Sequence, residues 1–284
     1  MADIDFESDP NLHVYNAPAV AEHYAALNYL TPCERLLFDE YLRSGMAVLD
    51  LGVGGGRTTP YLSSMASHYV GLDYAWEMIS ACRRKFPHLE FELGNAAELS
   101  KFTSASFDAV IMAFNGMDYV IPEESRFRAL GEIHRVLKPE GILIFSSHNP
   151  RSLWVRASWN RQRVQDLAQT LVAADSLFHR PLLWLLSAMR AGLAALQAMV
   201  QSLDRAARRL PTRAFWRGDG YLVDPAHGGL MAHVASPEKV GQELGRFGFR
   251  LRREVGDDYP HASRLYVTDW YYYVFSKTGA TGAK

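Results

Sequence analysis

The stretch that decides the fold is Val48-Leu-Asp-Leu-Gly-Val-Gly-Gly-Gly-Arg-Thr-Thr59. It begins as an apolar run, carries an acid at Asp50 and then passes into a crowd of glycines. Glycine has no Cβ, so the backbone here can turn sharply and come close to a ligand. Residues 58–66 are typical of a helix that starts directly afterwards. The stretch therefore predicts a strand, a tight turn and a helix, with a ligand at the turn.

The spacing of these glycines disfavours a phosphate ligand. A G-x-G-x-x-G fingerprint counted from Gly52 needs glycine where the chain has Arg57, and the Lys-Ser/Thr ending of a P-loop is missing. The pattern is instead Asp50-x-Gly52-x-Gly54-x-Gly56, which resembles motif I of the class I S-adenosylmethionine-dependent methyltransferases. The cofactor of that family carries a sulfonium and an amino acid group, and a carboxylate such as Asp50 suits this ligand.

The next two segments continue the resemblance. Tyr69-Val-Gly-Leu-Asp73 is a second apolar run that ends in an acid, close to the separation from Asp50 expected of a carboxylate that accepts from both ribose hydroxyls. Residues 89–99 resemble the family's adenine-binding motif, with Asn95 at the position where an Asp usually holds the exocyclic amine. The Asn carbonyl can accept the same hydrogen bond without a charge.

Two later segments complete the ordered set of motifs over residues 46–149. Residues 107–119 resemble motif IV, a fourth strand whose end faces the transferred methyl group. Residues 126–141 predict a helix and a Pro-x-Gly turn into a fifth strand at 142–146. The resemblance implies S-adenosylmethionine as the cofactor. It implies a cofactor-binding set of Tyr15, Tyr24, Asp50, Gly52, Gly54, Gly56, Asp73, Tyr74, Asn95, Ala96, Ala113 and Asn115.

The predicted fold class is α/β. We expect a Rossmann-like, doubly wound, seven-stranded sheet with its last strand antiparallel and a helical insert between strands five and six. The closing helix is predicted at 236–247 and the closing strands at 249–255 and 270–276. The predicted divisions are an N-terminal helical lid segment (1–45), the cofactor-binding core (46–148), the insert (149–225), the C-terminal part of the core (226–277) and a disordered tail (278–284).

Composition favours a cytoplasmic enzyme. The chain has 284 residues, 48% of them hydrophobic, and a formal net charge of −1. Its two cysteines, Cys33 and Cys82, give neither a disulfide framework nor a zinc site, and no metal is predicted. The first residues lack the basic and apolar regions of a signal peptide.

The net charge conceals a strongly basic insert. Residues 151–217 contain eleven Arg, three Asp and neither Lys nor Glu, and they include four of the six tryptophans. Residues 181–200 carry a single charge, Arg190, over a length that could cross a bilayer. One crossing would put strands of the same sheet on opposite sides of a membrane, so we expect no spanning helix.

Three interpretations of the insert remain open. Arg and Trp around an apolar helix are typical of segments that lie in the headgroup plane, which would bring the protein to the inner face of a membrane. Apolar helices also pack on protein, as a lid over the substrate or as a homodimer surface. RNA binding through the arginines is less favoured, because no RNA-binding module is recognised. Motif IV lacks the Asn/Asp-Pro-Pro-Tyr/Phe sequence of many nucleic acid methyltransferases, which further disfavours that partner.

Histidines supply the candidate general bases, since a hydroxyl acceptor benefits from a base near neutral pH. His227 is the first candidate, His148 in Ser146-Ser-His-Asn149 the second and His233 the third. These segments resemble those of relatives that methylate sugars and glycans. Asp118 and Tyr119 are candidate substrate contacts.

The function hypothesis is methylation of a small-molecule acceptor. We expect O-methylation, in preference to N-methylation, of a hydroxylated metabolite, with a saccharide or lipid-linked saccharide preferred. The alternatives are an RNA methyltransferase that uses the basic insert, and a non-catalytic partner that binds S-adenosylmethionine.

Overall fold

The computed structural model describes residues 10–150, 217–224, 230–260 and 268–279. Helices and strands alternate along most of these ranges. The helices are α1 (Pro10–Tyr15), α2 (Pro18–Ala26), α3 (Pro32–Tyr41), α4 (Thr59–Met65), α5 (Trp76–Lys85), the 3-10 helix η1 (Gly116–Tyr119), α6 (Glu123–Val136) and α7 (Pro237–Arg246). The strands are β1 (Ala47–Leu51), β2 (His68–Asp73), β3 (Glu90–Leu93), β4 (Phe107–Met112), β5 (Leu137–His148), β6 (Asp219–Asp224), β7 (Leu230–Ala235), β8 (Phe249–Gly256) and β9 (Trp270–Lys277).

Seven strands form one twisted sheet in the order β3-β2-β1-β4-β5-β9-β8. The first five pair in parallel, whereas β9 pairs antiparallel with both β5 and β8. This arrangement confirms the predicted fold class, including the antiparallel last strand. Because β1 lies between β2 and β4, the carboxyl ends of these three strands meet at one edge of the sheet.

Helices cover the central strands on both faces. Along β1, Leu49 and Leu51 pack in the hydrophobic cluster on one face of the sheet, and Val48 packs in the cluster on the other. Strands that are buried on both faces are continuously apolar, which explains why the sequence reveals them so clearly. Asp108 accepts from the Ala47 amide at 2.8 Å and from Lys138 Nζ at 2.7 Å, so it joins the starts of three neighbouring strands.

The fifth strand begins earlier than predicted. It runs from Leu137, so the Lys-Pro-Glu-Gly segment lies inside it as an irregularity in the pairing with β4. Glu140 has a φ of +60° there, and a Cβ on Gly141 would lie 2.8 Å from the carbonyl oxygen of Lys138. Only glycine therefore fits at the bend, and pairing with β4 resumes directly after it.

The sequence also failed to predict a second sheet. Strands β6 and β7 form an antiparallel hairpin that packs on η1, with Ala232 and Val234 against Tyr119. The predicted insert lies outside the described residues from 151 to 216. None of the helices that the structure describes is long and apolar enough to cross a membrane.

A buried ion pair joins α6 to α7. Arg126 is 2% exposed and donates from Nε and Nη2 to the two carboxylate oxygens of Glu243, both at 2.9 Å. We expect Arg126→Met to lower the free energy of unfolding by about 3 kcal/mol, because it leaves the Glu243 charge largely buried without its partner. Chemical denaturation measures this change.

Lys101→Met is the matched control for this prediction. Lys101 pairs with Glu92 at 2.7 Å, but both side chains are more than a third exposed. Water already solvates these charges, so the expected loss is below about 1 kcal/mol. Equal losses in the two variants would contradict the role assigned to Arg126.

Candidate functional site

A cavity opens where the carboxyl ends of β1, β2 and β4 meet. Its walls come from the loops that follow these strands, from α1 and α2, and from the start of α6. The structure brings ten of the twelve predicted cofactor residues to its walls: Tyr15, Tyr24, Asp50, Gly52, Gly54, Asp73, Tyr74, Asn95, Ala96 and Ala113. Gly56 and Asn115 are not on the walls. The site thus assembles residues that are far apart in the chain.

The glycine turn after β1 forms the floor of the cavity. Gly52 and Gly54 have φ values of +63° and +55°, in the left-handed region that favours glycine. Gly56 also has a positive φ, but a Cβ there would lie 2.8 Å from the ring of Phe86, away from the cavity wall. Gly56 packs closely against α5, and its predicted contact with the cofactor stays a prediction.

Asp73 is held rigidly at the end of β2. Its Oδ1 accepts from the Ala75 amide and its Oδ2 from the Gly54 amide, both at 2.9 Å. The Tyr74 amide also favours the charged carboxylate. A carboxylate offers about four lone-pair sites, so acceptor capacity remains for a hydroxyl group of a ligand. Burial raises the pKa of Asp73 to about 6, although the backbone amides favour its charged form.

Asp50 is the second buried acid of the site. Its Oδ2 accepts from Thr58 Oγ1 at 2.9 Å and from the Tyr69 hydroxyl at 3.0 Å, and these bonds tie β1 to the start of α4 and to β2. Burial raises its pKa to about 6. Two buried carboxylates on one wall favour a ligand that brings positive charge. They would repel a pyrophosphate.

Asn95 lies on the cavity wall in the loop after β3. Its Oδ1 accepts from the Ala97 amide at 2.8 Å, which shapes the loop. An amide oxygen has a second lone pair, and the Nδ2 atom can donate. The adenine contact of Asn95 and Ala96 stays a prediction.

Aromatic rings from the N-terminal helices cover the cavity. The Tyr15 ring contacts those of Tyr24, Tyr74 and Tyr119 edge-on, at centroid distances of 6.1–6.3 Å. Such edge contacts suit the charge distribution of aromatic rings. The N-terminal segment is therefore packed over the cavity, and Tyr15 and Tyr24 both line it.

Asn11 fastens this cover to the β6–β7 hairpin. Its Nδ2 donates to the Met231 carbonyl at 2.9 Å, and its Oδ1 accepts from the Met231 amide at 3.0 Å. The Asn11 side chain thereby pairs with β7 as a further strand would. The hairpin and the N-terminal helix meet above η1.

Comparison with known proteins agrees with this geometry. Residues 48–141 match the profile of the family described as "Methyltransferase domain". These residues form a class I S-adenosylmethionine-dependent methyltransferase domain. The cofactor that this domain implies fits the residues present, because buried carboxylates, glycines with positive φ and an aromatic cover suit a cationic nucleoside.

Individual relatives match the domain in part. The chain is 32% identical over 115 residues to a demethylmenaquinone methyltransferase of Paenarthrobacter aurescens, covering 40% of this chain and 44% of the relative. It is 36% identical over 111 residues to phthiotriol/phenolphthiotriol dimycocerosates methyltransferase 1 of Mycobacterium ulcerans, covering 38% of this chain and 39% of the relative. Each match therefore spans less than half of the relative's own length.

Solved structures extend the likeness of fold beyond the methyltransferase domain. A S-adenosylmethionine-dependent methyltransferase of Methanosarcina mazei superposes with a TM-score of 0.55 and 19% identity. The superposition covers 89% of this chain and 99% of that one. At this identity the likeness concerns the fold.

The three candidate bases have different positions relative to the methyltransferase domain. His148 ends β5 and does not itself line the cavity, but its ring packs edge-on against that of Tyr119, which does. Its Nδ1 lies 2.7 Å from Asp118 Oδ2. His233 lies on the hairpin with its Nε2 2.6 Å from Asp219 Oδ1, and it does not line the cavity. The structure thus directs His233 to a partner on β6 rather than to the site. His227 lies outside the described residues.

Sequence reasoning missed a buried ion pair at the cavity wall. Arg57 donates to both carboxylate oxygens of Glu34, at 2.6 and 2.7 Å, and its guanidinium lies 4.9 Å from the centre of the Phe114 ring. Glu34 also closes a capping box with Thr31 at the start of α3. That Thr-x-x-Glu pattern is a recognisable sign of a helix start, but it does not reveal the pairing with Arg57.

Gly55 was also missed. The absence of a side chain at Gly55 allows α2, which carries Tyr24, to pack on the glycine turn. A Cβ on Gly55 would lie 2.2 Å from the Ala25 amide nitrogen, so the main chain of α2 would have to move. We expect Gly55→Ala to weaken S-adenosylmethionine binding at least about tenfold, a loss of about 1.4 kcal/mol, because Tyr24 leaves the cavity. Titration calorimetry measures the affinity.

Gly131→Ala in α6 is the control for this substitution. A Cβ there meets no atom within 4 Å, and alanine favours the helix by about 0.8–1.0 kcal/mol over glycine. Affinity should stay unchanged in that variant. An unchanged affinity in Gly55→Ala would show that the contact between α2 and the glycine turn does not hold the cover.

From the two buried acids we expect opposite effects of rising pH on the stability of the ligand-free protein and on its affinity for a cationic ligand. Both have pKa values of about 6, above the ordinary 3.8, so the native ligand-free protein binds protons more readily than the unfolded chain. Stability should therefore fall as pH rises from about 4 to about 6, by on the order of 2 kcal/mol per group. Affinity for a cationic ligand should rise over the same interval, because the charged carboxylates bind it.

Denaturation and calorimetry across this pH interval test both effects. Asp73→Asn removes one titrating group while keeping its shape, so the fall in stability should become smaller. The same variant should bind S-adenosylmethionine about a hundredfold less tightly, since hydrogen bonds to a charged group contribute roughly 1.5–3 kcal/mol each. Retention of both the pH slope and the affinity would exclude Asp73 from the site.

Proposed function

We propose that this chain transfers the methyl group of S-adenosylmethionine to a hydroxyl group of a small metabolite, with a saccharide or lipid-linked saccharide as the preferred acceptor. The observation that carries the proposal is the cavity at the ends of β1, β2 and β4, where Asp50, Asp73 and the glycine turn meet beneath a tyrosine cover. This combination favours a cationic nucleoside over a dinucleotide.

The residues that line the cavity have two tasks in the proposed reaction. Asp73 and the glycine turn hold the cofactor, which supplies a methyl group on a sulfonium. Tyr15, Tyr24 and Tyr74 exclude water from it. Methyl transfer is an in-line displacement, and the positioning of reactants can contribute roughly 7–11 kcal/mol to such a step.

His148 supports oxygen as the methylated atom. A neutral hydroxyl must lose its proton as the new bond forms, and a histidine is suited to take that proton near neutral pH. His148 packs against Tyr119, which lines the cavity, and its Nε2 lies 3.2 Å from Asn115 Nδ2. An amine acceptor would need this base less.

The acceptor itself is inferred from weaker similarity. The name of the Mycobacterium ulcerans relative gives phthiotriol/phenolphthiotriol dimycocerosates as the compounds that it methylates, and hydroxylated compounds of this kind support our proposal. The segments around His148 resemble those of sugar and glycan methyltransferases, which favours a saccharide. We further propose that the 151–217 insert covers the acceptor, because this segment begins just after His148 and ends just before β6.

Labelled methyl transfer tests this function. Aqueous and organic-solvent metabolite extracts are incubated with the full chain and with S-adenosylmethionine that carries an isotopically labelled methyl group. We expect a labelled product, heavier by one methylene unit, from one of the extracts. Its fragmentation in a mass spectrometer places the label on oxygen.

Asp73→Ala, which lacks the carboxylate at the cofactor site, is the control and should give no product. Label that appears only in added RNA would support the nucleic acid alternative. Binding of S-adenosylmethionine without transfer to any extract would favour a non-catalytic role and overturn the proposal.

A further inference from the structure

Three side chains form a hydrogen-bonded chain beside the cofactor cavity. Asp118 in η1 is 2% exposed, and its Oδ2 lies 2.7 Å from His148 Nδ1. His148 Nε2 lies 3.2 Å from Asn115 Nδ2, and the side chain of His148 is 24% exposed. The chain therefore leads from a buried carboxylate to a partly exposed imidazole. Neither His148 nor Asn115 lines the cavity, but their neighbours Phe114, Gly116 and Tyr119 do.

The charges in this chain determine which nitrogen of His148 carries the proton. An ionised carboxylate can only accept, so Asp118 holds a proton on Nδ1. In the neutral imidazole the lone pair is then on Nε2, and this nitrogen accepts from Asn115 Nδ2. A histidine held in this way is suited to take a proton at Nε2.

The backbone conformation around Asn115 holds the side-chain amide of this residue against His148 Nε2. Phe114 and Asn115 have consecutive φ values of +58° and +63°, and the backbone amide of Asn115 donates to Ser146 Oγ at 2.8 Å. Positive φ values at non-glycine residues concentrate at functional sites. The Phe114 ring is in turn held by its contact with Arg57.

Asn115 also carries a buried acceptor that lacks a donor. Its Oδ1 has no hydrogen-bond partner among the described residues, although the residue is only 5% exposed. Such an atom costs about 1–3 kcal/mol when it remains unsatisfied. A ligand that brings a hydroxyl donor would remove this cost.

We propose that Asp118 is a positioning residue that keeps the lone pair of His148 on Nε2. The side-chain amide of Asn115 donates to this nitrogen until the neutral hydroxyl group of the methyl acceptor displaces it. The inference rests on the proposed function and restricts its acceptor to a group that must lose a proton. Asp118 acts through His148, whereas His148 and Asn115 contact the acceptor.

The proposed step conserves atoms and charge. The acceptor oxygen forms a bond to the methyl carbon of S-adenosylmethionine, and the C–S bond breaks with its electron pair going to sulfur. The hydroxyl proton passes to His148 Nε2, and the resulting imidazolium is stabilised by Asp118. Solvent then removes this proton. The products are a methyl ether and neutral S-adenosylhomocysteine.

Asp118 also has a structural role that the test must separate. Its Oδ2 accepts from the His148 amide at 2.8 Å and so anchors η1 to β5. The titratable groups near the pair, among the described residues, are Tyr119 against the ring of His148 and Tyr273 on β9. Burial, with further contributions from Glu254 and Asp118, raises the pKa of Tyr273, so it stays neutral around pH 7.

Nitrogen NMR of the full chain labelled in its histidines tests the tautomer without an acceptor. The signals of His148 are assigned by their loss in His148→Ala. We expect the wild type to show a protonated Nδ1 and an unprotonated Nε2 near neutral pH. A proton on Nε2 in the neutral ring would overturn the proposal.

Kinetics with the extract fraction that receives the labelled methyl group test the role of Asp118. We expect kcat to fall about a hundredfold or more in His148→Ala, as typical of a lost general base. In Asp118→Asn we expect a fall of about tenfold or more, with a changed pH profile of kcat because the imidazolium formed in the step loses the partner that stabilises it. The KM for S-adenosylmethionine should stay near the wild-type value in both variants.

Asp219→Asn is the matched control. Asp219 Oδ1 lies 2.6 Å from His233 Nε2, and this pair does not line the cavity. Its kcat and pH profile should equal those of the wild type. A wild-type rate and pH profile in Asp118→Asn would overturn the inference alone. Loss of S-adenosylmethionine binding by the wild type, measured by calorimetry, would instead reject the proposed function on which it rests.

Discussion

The site depends on the two hydrogen bonds by which the Asp73 carboxylate holds the backbone at the edge of the sheet. One oxygen accepts from Gly54 in the turn after β1, and the other from Ala75 at the start of α5. These bonds keep the glycine turn at the end of β2, and they leave lone pairs that face the cavity. If this carboxylate were missing, the turn would lose its link to the neighbouring strand, and the cavity would lose its principal acceptor.

Burial of this acid and of Asp50 gives the cavity its electrostatic preference. Each charge is costly in the ligand-free protein, as the pKa values of about 6 show. A cationic ligand offsets this cost, whereas a phosphate would add to it. The same edge of the sheet that binds dinucleotides in other doubly wound folds is therefore adapted to a sulfonium nucleoside, and the difference arises from acids and missing lysines rather than from the strands.

Prediction from the sequence succeeded where structure is local. The strands β1, β2 and β4 were recognisable because both of their faces are buried and their residues are almost all apolar. Asp50 and Asp73 were recognisable because each stands at or near the end of such a run. The β6–β7 hairpin was missed although Asp224-Pro225 and Gly228-Gly229 are turn signals, because the predicted insert ended at 225 and so included β6 in a helical segment. The packing of Gly55 against α2 and of Gly56 against α5 was not predicted, because glycines in one run look alike until their neighbours are known.

The sequence by itself determined the order of strands and helices, the glycine turn and the acids that follow the strands, since each of these depends on residues close together in the chain. Only the tertiary structure decided which side chains act together. Asp118 and His148 are 30 positions apart, Arg57 and Glu34 are 23 apart, and Asn11 meets Met231 across 220 positions. Such pairs form because the sheet brings the ends of separate strands to one edge, and no periodic pattern in the chain encodes that contact.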